Sequence, residues 1–245
     1  MVRRFYEIDA VRGLAIILMI IFHFFVDLDF FGVASIDLDN LFWKVFGNLV
    51  AIIFIFLVGF SLVLSYSRKK AQKIGFKKYL KRGAKIFSYG LIISFVTFLL
   101  FHDMFVKFGI LHFIGLSIII SYPFVKLTKK DKNGIFGIFL LIMAIAVIAI
   151  GIFLNNLYFN FPYLFWVGFK PKDFASLDYF PIFPWIGVIM IGIYAGNLFL
   201  KTKPKVKELK SKLLYSFSFL GRHSLMIYLV HQPVLAGFIL VYKLI

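Results

Sequence analysis

DAVRGLAIILMIIFH, residues 9–23, decides what kind of molecule this is. From Gly13 to Phe22 it holds no polar side chain, and apolar residues dominate onward to about residue 30. A helix over 11–30 is about long enough to cross a hydrocarbon core of roughly 30 Å at about 1.5 Å per residue. An aspartate, an arginine and a histidine nevertheless sit in or beside it, where hydrocarbon disfavours them.

The rest of the chain has the same character. Hydrophobic residues make up 62% and charged residues 16% of the 245, against a charged share of roughly 25% in ordinary soluble domains. Further apolar runs lie near 42–66, 83–101, 108–126, 134–154, 183–200 and 222–243. The expectation is an all-α, polytopic helical membrane bundle of about seven spans, forming one domain over 1–245, multi-pass in the cell membrane. A basic start before an apolar run resembles a signal peptide. The first run lacks a small-residue cleavage site and six more follow, so it reads as a mature helix.

The net charge of +17 would suit nucleic acid if it covered one soluble face. Instead the charge alternates between connections. SRKKAQKIGFKKYLKRGAK carries nine basic residues and no acidic one, KLTKKDK four and one, and KTKPKVKELKSK six and one. The first intervening connection, VDLDFFGVASIDLDN, has four aspartates and no basic residue. This bias places the N-terminus, with Arg3 and Arg4, in the cytoplasm and the C-terminus outside. The basic excess therefore signals topology first and contact with anionic lipid second, and nucleic acid is not an expected partner.

Ionisable groups within spans mark candidate sites. At about 100° per residue, Asp9, Arg12, His23 and Asp27 fall within an arc of about 60° on one helix face. Asp9 and Arg12, three apart, can pair near the cytoplasmic end, although an arginine there also serves as a snorkelling anchor. His23 lies about 16 Å further along, four residues before Asp27, and its apolar neighbours leave it to find a partner or line a cavity. In GRHSLMIYLVHQPV, residues 221–234, Ser224, Tyr228 and His231 recur at i, i+4 and i+7 as a polar stripe, with Pro233 next to interrupt the helix ladder. Interhelical hydrogen bonding accounts for Ser224 and Tyr228 as well as chemistry does. His231 falls near the depth of His23.

His112, in FGILHFIGLS, belongs near the outer end of the fourth span. DYFPIFPWIG, residues 178–187, sets Asp178 and Tyr179 before two prolines and Trp185. That stretch reads either as an interfacial aromatic belt or as the partly unwound wall of an outward cavity. Cysteine is absent, as are a phosphate loop, an H-E-x-x-H pair, a G-x-S-x-G elbow and close metal-ligand spacing, so no motif for metal, flavin or nucleotide-hydrolysis chemistry is present.

Five pieces, EIDAVRGLAIILMIIFH, LVGFSLVLSYSR, FGILHFIGLS, DYFPIFPWIGVIMIGIYAG and LGRHSLMIYLVHQP, touch nearly every span. In that order the sequence resembles the acyltransferase-3 type of membrane acyltransferase, and most nearly the branch related to heparan-alpha-glucosaminide N-acetyltransferase. The resemblance implies transfer of an acyl group, typically acetyl from cytoplasmic acetyl-CoA, to a sugar or amino-sugar acceptor across the membrane. It matches Arg12 and His23 to the arginine and histidine of the family's first helix. The lysosomal branch carries its catalytic histidine in the lumenal region after that helix, and here residues 27–41 hold four aspartates and no histidine. His23 therefore ranks ahead of His231 and His112 as the reactive one.

Attack of an amine or hydroxyl on a thioester needs a base, which a neutral imidazole supplies; Asp27 is the candidate orienter. A covalent acyl-imidazole route stays open. Donor phosphates call for cations at the cytoplasmic mouth, where Arg12, Arg68 and Arg222 fall. His112, Asp178, Trp185, Ser224 and Tyr228 are the candidates for acceptor contact. No metal is expected, and a homo-oligomer is left open. Two other functions compete: a proton-coupled transporter using intramembrane His and Asp, and a non-catalytic lipid-binding or assembly subunit.

Overall fold

The computed structural model describes residues 5–68, 73–131, 133–202 and 211–244. Arg3, Arg4 and the basic residues of 203–210, on which part of the topology reading rests, lie outside them. The described residues form helices and turns, without strands. The helices are α1 (Tyr6–Phe30), α2 (Leu41–Tyr66), α3 (Phe76–Leu100), α4 (Ile110–Ile120), α5 (Tyr122–Lys130), α6 (Ile135–Asn155), α7 (Ile182–Lys201), α8 (Lys212–Arg222) and α9 (Ser224–Leu244). Six are long and apolar enough to span a membrane, and α4 with α5 makes a seventh span bent by 43°. This is a polytopic helical membrane protein.

Differences from the expected spans have local causes. The fourth breaks at Ser121 because Pro123, in the first turn of α5, has no N–H to continue the ladder. α3 begins at Phe76, two turns before its apolar run, since lysine and arginine are good helix formers that a hydropathy count passes over. The last span starts at Ser224. Arg222, expected in it, instead closes the short amphipathic α8, and the His223 amide turns back to the Leu220 carbonyl at 3.0 Å.

The chain divides into two compact units. The first comprises α1, residues 41–54 of α2, α8 and α9. Its core is Ile16, Met19 and Val50, flanked by Phe46, Phe54, Leu220, Ile227 and Tyr228. α1 packs chiefly on α8, and the fit depends on two glycines: a Cβ at Gly13 would collide with the Phe217 carbonyl oxygen, and one at Gly221 with that of Asp9. Small residues that let backbones touch are the usual means of association in lipid, where burying apolar surface gains little. α9 runs in the same direction as α1 from the His23–His231 contact to Lys243, whose Nζ donates to the Phe31 carbonyl at 2.7 Å.

The second unit holds residues 55–66 of α2 and helices α3 to α7. α6 packs on α7 and α3 on α4. The connections 101–109 and 156–181 meet in a short extended contact of Phe108 with Tyr179, and a second such contact, Phe159 beside Pro171, closes the longer connection on itself. The Phe180 and Leu177 amides donate to the Phe108 and Met104 carbonyls, both at 2.9 Å.

Candidate active site

The first unit places His23 of α1 against His231 of α9, ring centroids 4.9 Å apart and ring planes at 81°. Each ring is held by its own helix. His23 Nδ1 lies 2.9 Å from the Met19 carbonyl, and His231 Nδ1 lies 2.6 Å from that of Tyr228. A carbonyl only accepts, so Nδ1 carries the proton in both rings and Nε2 is left with its lone pair. His231 Nε2 is buried and has no hydrogen-bond partner among the described residues, whereas the His23 ring is half-buried.

Asp27 is buried four residues beyond His23, and its Oδ1 accepts from Gln232 Nε2 at 3.0 Å. The expected orienter thus binds Gln232, and main-chain carbonyls orient both imidazoles. Asp27 still lies within electrostatic reach of His23. Gln232 was not singled out in the sequence; its position directly after His231 and before Pro233 is the only local signal. Asp27 Oδ2 and Gln232 Oε1 are also buried without partners among the described residues. Together with His231 Nε2 they make three buried acceptors and no donor for them. Buried polar atoms are normally satisfied, so this cluster is complementary to a ligand that donates hydrogen bonds.

The α1–α8 crossing of the same unit carries two of the three expected arginines. Arg12 Nη1 pairs with Asp9 Oδ1 at 3.1 Å. Arg222 lies over the Tyr215 and Phe219 rings, 5.8 and 6.0 Å from their centroids, and its Nε is buried without a partner among the described residues. Packing of Gly221 on the Asp9 backbone keeps both guanidiniums at this crossing. Ser224 opens α9. Tyr228 lends its carbonyl to His231, and its ring centroid is 5.3 Å from that imidazole.

Other expected site residues fall in the second unit. His112 is fully committed: Nδ1 accepts from the Gly109 amide at 3.2 Å, and Nε2 donates to Ser94 Oγ at 3.4 Å while that hydroxyl donates to the Val106 carbonyl. Its ring stacks on Phe108 and fills a notch at Gly90, where a Cβ would come within 2.9 Å of it. No nitrogen remains for a ligand. Asp178 Oδ2 accepts from the Ile110 amide at 2.9 Å and so caps α4, a placement that suits a carboxylate at a helix N-terminus. Trp185 packs on Phe180 at 4.9 Å. The Tyr179 hydroxyl donates to the Phe165 carbonyl at 2.7 Å, and burial pushes its pKa up. Prolines and aromatics at 178–185 thus belong to a tightly tied connection. Beside it, Phe105, Phe161, Phe165 and Phe174 line an open cavity of about 690 Å³. Arg68 is exposed just past the end of α2. Among the described residues no three His, Asp or Glu side chains converge as a metal site would require.

In a comparison with known families, residues 4–233 match the family described as heparan-alpha-glucosaminide N-acetyltransferase, catalytic. That stretch includes both histidines of the pair, Asp27 and Gln232. No curated protein and no solved structure matches the chain.

Proposed function

Because the chain belongs to the heparan-alpha-glucosaminide N-acetyltransferase catalytic family, we propose that it moves an acetyl group from cytoplasmic acetyl-CoA to the amino group of a sugar acceptor on the opposite side of the cell membrane. The observation that carries this reading is the donor-poor cluster of His23, His231, Asp27 and Gln232. An amine brings two N–H donors in its neutral form and a hydroxyl only one, so the cluster favours N- over O-acetylation.

In this reading the acceptor reaches His23, the more accessible imidazole, and donates one N–H to its Nε2. The second N–H goes to His231 Nε2 or Asp27 Oδ2. As the amine nitrogen attacks the thioester carbonyl, His23 Nε2 takes its proton; collapse of the tetrahedral intermediate breaks the C–S bond, and the same proton passes to the departing thiolate. The products are the amide and free CoA thiol. The Asp27 carboxylate stabilises the transient imidazolium, and the Met19 carbonyl fixes the tautomer. Arg12 and Arg222, at the α1–α8 crossing, are the first unit's cations for the donor's phosphates; the buried, unpartnered Nε of Arg222 fits a phosphate oxygen.

Proton-coupled transport would also use intramembrane His and Asp, but family membership favours transfer. The test uses purified protein in lipid nanodiscs with labelled acetyl-CoA and paired acceptors, glucosamine beside glucose. Amide formation on glucosamine with little ester on glucose is expected; no transfer to any of a broad acceptor panel would overturn the reading.

A further inference from the structure

Three cations of the second unit crowd together where α2 ends and α3 begins. Lys78 Nζ donates to Ser65 Oγ at 2.7 Å, in a half-buried position. Tyr79, next in the chain, is buried, with its hydroxyl 3.5 Å from the Leu62 carbonyl. The Tyr66, Tyr79 and Tyr122 rings form a wall with centroids 5.1 to 6.3 Å apart, and Lys129 Nζ stands 6.0 Å over Tyr66. Arg82 is one turn beyond Lys78, and Arg68 lies three residues beyond Ser65. Both guanidiniums act on the Lys78 ammonium.

Among the described residues no carboxylate is paired with these charges. The first turn of α3 holds no acidic residue, and among the described residues none of Arg68, Lys78 or Arg82 ion-pairs with Asp or Glu. Like charges within electrostatic reach of one another repel, the more so where one of them is half-buried. Topology alone explains solvated loop lysines; it does not explain a half-buried ammonium hydrogen-bonded in place beside a tyrosine wall, with two guanidiniums within electrostatic reach. Such a constellation matches a multiply charged oxyanion, because arginine forks and a lysine point charge are the usual phosphate-binding set.

We infer that Arg68, Lys78 and Arg82 form a binding site for a phosphate-bearing ligand, with Ser65 positioning Lys78 and the tyrosines giving the ligand an apolar flank. Two sources carry that chemistry. One is the bisphosphate nucleotide end of the acyl donor, which rests on the acetyltransferase reading; the other is the headgroup of an anionic phospholipid.

The test uses the full chain. In nanodiscs of phosphatidylcholine alone, adenosine 3′,5′-bisphosphate is titrated; separately, without nucleotide, phosphatidylglycerol retained by the protein is quantified by mass spectrometry. Saturable binding is expected in one arm, which identifies the source. It should weaken about tenfold or more in Lys78→Gln and in Arg82→Gln, as loss of a charge-assisted hydrogen bond implies, and persist in Lys78→Arg. Lys170→Gln, in a distant connection, should change nothing, and an unaltered thermal midpoint excludes misfolding. Absence of saturable binding in both arms, or equal binding by Lys78→Gln and Lys170→Gln, overturns the site. Lys78-dependent binding without any acetyl transfer would sink the acetyltransferase reading and leave the site standing. Transfer without such binding would do the reverse.

Discussion

His23 and His231 stand edge to face, and each spends its Nδ1 proton on a carbonyl of its own helix. The pair therefore presents two basic nitrogens and no acidic one. Replacing His23 by Ala should lower kcat by about 10²–10⁴-fold, the usual loss for a general base, and leave acetyl-CoA binding intact. His231→Ala should raise the KM for the acceptor amine more than it lowers kcat. Steady-state kinetics in nanodiscs separates the two; unchanged turnover in His23→Ala would remove it from the chemistry.

Among the described residues, Gln232 Nε2 is the one side-chain group that donates to the Asp27 carboxylate, at 3.0 Å. Gln232→Leu leaves a buried carboxylate unpaired, at a cost of about 1–3 kcal/mol, so the thermal midpoint in detergent should fall. Asp27→Asn should partly restore the double variant, because a neutral amide tolerates the loss better than an anion. A double variant no more stable than Gln232→Leu alone would show the two side chains to be independent.

Gly13→Ala and Gly221→Ala each force a methyl group into a main-chain carbonyl. Backbone cannot swing aside as a flexible side chain can, so each should cost about 1–3 kcal/mol and weaken whatever Arg12 and Arg222 bind. Gly237→Ala, within α9 with nothing inside 4 Å of its new Cβ, should be neutral or stabilising by about 0.5–1 kcal/mol. Thermal midpoints of the three variants give the comparison.

His112 has no free nitrogen, which predicts a structural phenotype. His112→Ala should lower the thermal midpoint by breaking bonds to Gly109 and Ser94, and the folded fraction should retain its kcat. A kcat loss in fully folded His112→Ala protein would return this residue to the chemistry.

Asp131 accepts from the Gly137 and Gly134 amides at 2.9 and 3.0 Å, and these bonds, the Gly137 one foremost, hold its carboxyl below the ordinary value of 3.8. A depressed native pKa means stability that is fully present above the unfolded value and lost as pH falls through the native one. Asp131→Asn should therefore lower the thermal midpoint at neutral pH, with the gap to wild type closing below the unfolded pKa. A gap independent of pH would argue against the assignment.

What the sequence made legible was whatever repeats along one helix. Apolar run length marked the membrane crossings, and the three-residue spacing of Asp9 and Arg12 anticipated their ion pair. Depth along two helices put His23 and His231 at one level, but that their rings meet came only from the packing of α9 beside α1. Contacts between distant stretches were not legible. Asp27 and Gln232 are 205 residues apart, and nothing in either neighbourhood announces the other. His112 looked like the other histidines because its saturation depends on Ser94 and on space at Gly90, both on a different helix. The breaks at Ser121 and His223 were hidden because hydropathy continues through them while the backbone ladder does not.

The notch at Gly90 has a consequence for descent. An imidazole pinned on three sides cannot retreat from a methyl group, so no single step replaces this glycine and keeps the histidine's bonds. Positions 90 and 112 are therefore inherited together: across relatives, a side chain at the first should be accompanied by loss of the ring at the second.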